Sequence, residues 1–156
     1  MTVNVDWTKV PIPGSYTDLY NYYGDPADAN FQHDYIVTSH HEAGGVQVAM
    51  QVHVAIAERL HQVYVDLNST GLVKLIKEFD GAYVVRNKRI PGSHSKSLHS
   101  WGLAIDLNAS QYPQGSLKRW PDAFAAIWIK HGFVMGQDFH GTPDAMHIQF
   151  TRLHTI

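Results

Sequence analysis

The sequence predicts an α+β fold, a single domain in which a small, mainly antiparallel sheet packs against helices. Three observations predict it. Apolar residues recur at helical spacing in separate stretches, short segments rich in β-formers lie between and after them, and the two kinds never settle into a regular β-α-β alternation. At 156 residues the chain has the size of one ordinary domain and can bury a core without crosslinks.

Taken in order, residues 1–45 read as an irregular N-terminal wrap. Pro11, Pro13, Gly14, Gly24 and Pro26 interrupt regular structure among Tyr16, Tyr20, Tyr22 and Tyr23, which must pack by their rings. The core, residues 46–150, opens with a helix over 46–67, where Val48, Val52, Ile56, Leu60 and Val63 form one face. After Asn68, Ser69 and Thr70, a short helix is predicted over 71–79 from Leu72, Leu75, Ile76 and Phe79, ended by the Asp80-Gly81 turn. Residues 82–86 read as a strand and 91–96 as a polar loop. In 102–108, Leu103, Ile105 and Leu107 alternate with Ala104, Asp106 and Asn108, the period of a strand. Pro121 and Gly132 bracket a helix over 121–131, and two short strands, 133–136 and 147–151, complete the set.

Composition excludes several functions. There is no cysteine, so a thiolate nucleophile, a disulfide framework and a Cys-type zinc site are all ruled out, and any metal must be held by histidine and carboxylate. The formal charge of -2, from 12 basic and 14 acidic residues well mixed along the chain, includes no basic run that could track a phosphate backbone; nucleic acid is not an expected partner. No apolar stretch is long enough to span a membrane, and residues 1–10 carry Asp6 and Trp7 where an export signal needs a continuous apolar run. The expectation is a monomer without a signal peptide.

Two segments, 97–106 and 144–147, each place a histidine near an aspartate. His99 lies just before a predicted strand, Asp106 lies on it, and His147 begins another, so adjacent strands would gather the three at one edge of the sheet. Two histidines and a carboxylate, with a fourth position open to water, form the donor set of a catalytic zinc. The same set also makes the facial triad of a non-haem iron oxygenase, although those triads usually begin His-x-Asp. Asp144 follows a turn opened by Gly141, Thr142 and Pro143, which leaves its carboxylate beside the metal and suited to act as general base in amide hydrolysis.

These residues resemble the zinc D-Ala-D-Ala carboxypeptidases and L-alanyl-D-glutamate endopeptidases, the latter common as bacteriophage endolysins. Their pattern, Ser-x-His-x-x-Gly-x-Ala-x-Asp followed by an acidic residue three before a final His, is met by Ser97, His99, Gly102, Ala104, Asp106, Asp144 and His147. The resemblance covers roughly residues 46–150. It implies one catalytic zinc ion on His99, Asp106 and His147, with Asp144 as base; an Asp there instead of Glu looks like the endopeptidase branch. Residues 79–86 resemble the family segment whose arginine steadies the scissile carbonyl, which implies that role for Arg86, with Arg89 as the fallback. The implied substrate is the peptidoglycan stem peptide, and the implied setting is host-cell lysis, the protein being made in a bacterial cytoplasm and acting on the wall after release. D-Ala-D-Ala carboxypeptidase activity, or a catalytically silent zinc module of the kind seen in animal signalling proteins, are the alternatives.

Around this set, Ser97 is expected to support a ligand or the substrate, Gly102 to permit a tight turn, and Trp101 to line the core or the groove wall. His140, close to the metal loop, is a candidate substrate contact. His40 and His41 beside Glu42 read as a polar loop or helix start, and His53, His61, His94, His131 and His154 as packing or surface residues.

Overall fold

Gly44 and Gly45, at φ of 60° and 90°, form a two-residue turn that pairs strand β1 (Ile36–Ala43) with β2 (Val46–His53), Ala43 lying opposite Val46. Two successive positive φ angles give the turn whose twist matches that of the flanking strands, and glycine adopts them without steric cost. The helix predicted over 46–67 is therefore divided: 46–53 is strand, and helix α3 runs Val54–Thr70. Val48 and Val52 fit a helical stripe leading into Ile56, but with Met50 they also alternate along a strand, and the Gly-Gly turn decides between the two. His40, His41 and Glu42 consequently lie on β1 and not in a loop or helix start. This computed structural model describes residues 4–89, 92 and 95–153; His94, His154 and part of the predicted polar loop 91–96 lie outside them.

Helix α3 starts where the His53 Nδ1 accepts the Ala55 amide at 3.0 Å, and it ends at Gly71, left-handed at φ 75°. Ile56, Leu60, Val63 and Leu67 are fully buried along one face, each contributing about 2 kcal/mol by transfer from water. They pack toward α4 (Asp122–Lys130), whose Phe124 and Trp128 are equally buried. No helix among the described residues is long and apolar enough to cross a membrane.

The main sheet has four antiparallel strands in the order β3 (Phe79–Gly81), β4 (Ala104–Leu107), β6 (His147–Gln149), β5 (Val134–Met135). The fold class is the α+β arrangement predicted. Two local expectations change. Residues 72–75 make only a short 3-10 turn, because the Lys77 and Glu78 amides bond the side-chain oxygen of Asn108 instead of continuing a helix. Residues 82–86 belong to no strand of the sheet; the amides of Tyr83 and Val84 bond the carbonyls of Gln51 on β2 and of His99, while the ladder with β4 is made by β3.

Residues 4–45 carry more regular structure than the irregular wrap predicted: helices α1 (Tyr16–Tyr23) and α2 (Phe31–Tyr35), then β1. Ser15 caps α1 by accepting the Asp18 amide, a local signal among the Pro and Gly breakers. The segment packs by its aromatics. Trp7, Tyr23, Phe31 and Tyr35 surround the ring of His53, and Tyr23 and Tyr16 donate their hydroxyls to the carbonyls of Pro11 and Lys96 at 2.8 Å each.

Candidate active site

The metal triad is built across the central strand pair. Register places Asp106 of β4 directly opposite His147, the first residue of β6. His99 comes from a 3-10 turn, Leu98–Trp101, entered through Ser97 and left through Gly102 at φ 69°. A side chain at Gly102 would put its Cβ 2.6 Å from the His53 backbone nitrogen, so glycine is what lets this turn sit against the β2–α3 junction.

Donor atoms of His99, Asp106 and His147 lie within 4.8 Å of one another. His99 Nε2 is 3.2 Å from Asp106 Oδ2, and His147 Nδ1 is 3.3 Å from Asp106 Oδ1. Both histidines are buried and Asp106 is 19% exposed, which leaves one open side.

The outward-facing ring nitrogens settle the tautomers. His99 Nδ1 is 2.8 Å from the carbonyl of Ala82, which can only accept, so that nitrogen carries the proton and Nε2 faces inward as a lone pair. Gln149 does the same for His147. Its amide nitrogen donates to the carbonyls of Thr151 and Leu153, which turns Oε1 toward His147 Nε2 at 2.9 Å and leaves Nδ1 as the inward lone pair. Two nitrogen lone pairs thus face one carboxylate. His99 Nε2, Asp106 Oδ1 and His147 Nδ1 are all buried without a hydrogen-bond partner. Such an arrangement is repulsive unless a cation lies between, and nitrogen–oxygen donors of this number are those zinc takes. The cluster could bind one metal ion. Burial pushes the Asp106 carboxyl up, but contacts from His147 and His99 reverse this and hold it below the usual carboxylate range.

Asp144 is 3% exposed, and its Oδ1 also lacks a partner. Burial raises it to about 6; the charge of Asp106 adds to the rise, against the pull of His147, His99 and Arg86. Its backbone is pinned by Asp144 N donating to Gly136 O and His147 N donating to Asp144 O, 3.0 Å each. A Cβ on Gly136 would fall 2.1 Å from the Asp144 carbonyl oxygen, so the loop closes only over a glycine.

A cavity of about 630 Å³ opens on these groups, lined also by Arg86, Arg89, Asp80, Gln114, Phe139, His140 and Met146. Arg86 is half-buried. Burial and then Arg89 pull its pKa down, while Asp106 and Asp144 pull it up, which places its guanidinium within electrostatic reach of both carboxylates. Ser97 is buried, and its hydroxyl accepts the His99 amide at 3.3 Å; it braces the ligand-bearing turn and does not line the cavity. Trp101 is not a groove wall either. It is fully buried and donates Nε1–H to the Gly24 carbonyl at 2.9 Å. His140 lines the cavity, whereas His53 and His131 lie elsewhere, bonded to the Tyr23 carbonyl and to Asp66. Sequence reasoning missed Gln149, Gly136 and the Ala82 carbonyl. Only Gln149 left a signal: it sits two residues beyond His147, on the same strand face.

Neither a curated protein nor a solved structure matches the chain. Residues 91–150 match the family described as D-alanyl-D-alanine carboxypeptidase, and that span contains all three triad residues and Asp144. The match and the His99, Asp106 and His147 cluster together support a zinc metallopeptidase, similar over that segment to the D-alanyl-D-alanine carboxypeptidase family.

Proposed function

We propose that the protein is an endopeptidase that cuts the L-alanyl-D-glutamate bond of the peptidoglycan stem peptide, acting as a monomeric endolysin on the wall after release. The family match over residues 91–150 supports the broader activity, zinc-dependent hydrolysis of a peptide bond in peptidoglycan. The observation that carries a hydrolytic reading is the buried, unpartnered Oδ1 of Asp144 beside the triad.

His99, Asp106 and His147 would hold a zinc ion, which when bound would supply Lewis acidity to water and to the scissile carbonyl. Asp144, raised to about 6, is suited to take a proton at Oδ1 near neutral pH and return it to the departing amine. Arg86 keeps its charge and is suited to oppose the negative charge that builds on the carbonyl oxygen. The presence of both argues for an enzyme over a silent zinc module. An Asp at position 144, where a Glu is the alternative, supports the endopeptidase over the carboxypeptidase; the description of the matching family favours the second reading, removal of terminal D-alanine.

Mass spectrometry of fragments released from purified peptidoglycan tests this, with Asp144→Ala and a chelated sample as controls. New amino termini on D-glutamate, absent from both controls, are expected. Loss of terminal D-alanine alone would make the enzyme a carboxypeptidase, and release of nothing would make it a binding module.

A further inference from the structure

We propose that Ser100 is a positioning residue that locks Arg86 to the metal site, an inference that rests on the reading of Arg86 given above. Ser100 follows the ligand His99 in the 3-10 turn and is fully buried. Its hydroxyl accepts the Arg86 amide at 3.0 Å and donates to the Arg86 carbonyl at 2.8 Å. The same carbonyl accepts the amide of Ser97 at 2.9 Å. Serines on both sides of His99 therefore grip the two peptide groups that flank the Arg86 Cα. A serine hydroxyl is the smallest side-chain group that donates and accepts at once.

The grip matters because of where Arg86 lies. Residues 82–86 are outside the four-stranded sheet, so their distance from the triad rests on single bonds such as Val84 N to the His99 carbonyl at 3.0 Å, with an isolated bridge of Asn87 to Lys96 just beyond. The guanidinium does not anchor itself either: Nη1 donates to the carbonyl of the next residue, Asn87, at 3.2 Å, and the buried Nε has no partner. Placement of the charge over the cavity is thus left to the backbone, and Ser100 is the side chain that bonds both the amide and the carbonyl of Arg86, beside the Ser97 amide on the same carbonyl. Four residues upstream the same segment works in the other direction, with the Ala82 carbonyl fixing the His99 ring. The two functions are separable: Ala82 serves the metal, and Ser100 serves the arginine.

Ser100→Ala in the zinc-loaded full chain, made alone and together with Arg86→Ala, tests the assignment on a stem-peptide substrate. Zinc content and melting temperature are followed beside kcat and KM. The expected result for Ser100→Ala alone is a fall in kcat of about 10–100-fold, the scale on which a misplaced charge slows a reaction, with zinc content unchanged and KM within about twofold. In the Arg86→Ala background the same change should lower kcat by less than about twofold, because the group it positions is gone. An equal loss in both backgrounds, or loss of zinc, would overturn the role assigned to Ser100 while leaving Arg86 intact. An Arg86→Ala variant as active as the parent would instead overturn the reading of Arg86. Should Ser100→Ala fold poorly, Ser100→Cys keeps the volume with a weakly bonding thiol and must give the same pattern.

Discussion

Replacing Gln149 with Met should weaken zinc binding without touching a ligand. Gln149 is fully buried, accepts from His147 Nε2 at 2.9 Å, and donates to the carbonyls of Thr151 and Leu153. Met fills a similar volume but leaves that ring N–H and those carbonyls without partners. Each buried group so orphaned costs about 1–3 kcal/mol, so the metal-free variant should lose at least about 2 kcal/mol of stability. The metal-specific part is separate. With no acceptor at Nε2, His147 has no reason to keep its proton there, and its lone pair is no longer committed to the triad. Loss of such outer partners typically costs about 10–100-fold in metal affinity, which is about 1.4–2.7 kcal/mol. Competition for zinc against a chromogenic chelator measures this directly, and the thermal stabilisation given by excess zinc should shrink by the same amount. Gln149→Glu, which keeps an acceptor at that place, should bind zinc more tightly than Gln149→Met. A folded Gln149→Met protein that binds zinc within about twofold of the parent would show that Gln149 only fills space and that the tautomer argument is wrong.

Gly136→Ala places a Cβ 2.1 Å from the Asp144 carbonyl oxygen and 2.8 Å from that of His147, both backbone atoms. It should cost about 1–3 kcal/mol in urea unfolding and at least about tenfold in turnover; parent values on both would mean that the loop yields freely. Acid should destabilise the metal-free protein. His53 and His41 are both pushed by burial from 6.5 down to about 4, so between these values they stay neutral when folded and take a proton when unfolded. Their stabilisation is present at neutral pH and is lost as pH falls from about 6.5 toward 4. Asp144, raised to about 6, works in the opposite sense below pH 6 and offsets one of the two. The net loss is about 1 kcal/mol per pH unit between pH 6 and 5, and a urea midpoint that is flat or rises there would refute it.

The ligand set was legible because it depends on residue type and order. Without cysteine, a metal had to be held by histidine and carboxylate, and Asp106 on an alternating segment with His147 opening another already implied adjacent strands. Helix α4 and strands β4, β5 and β6 were equally readable, since each is short, uniform in period and bounded by its own breakers. Where one set of apolar residues satisfied two periods, as at Val48, Val52 and Ile56, the strand and the helix were run together, although Gly44-Gly45 marked the hairpin.

What lay beyond the sequence were the contacts made between segments far apart in the chain. Asn108 takes the amides that would have continued a helix at Lys77 and Glu78, and Ser100 holds the Arg86 backbone. Ala82 lends a carbonyl to His99, and Gly136 admits the loop that carries Asp144. Each is a hydrogen bond or a close approach between backbones, and neither leaves a period or a composition along the chain. The amino-acid sequence by itself determined which side chains are available to bind a metal and which carboxylate lies close to them along the chain. Only the tertiary structure decided which nitrogen of each histidine faces inward and what holds the arginine over the cavity, because those depend on partners that folding brings together.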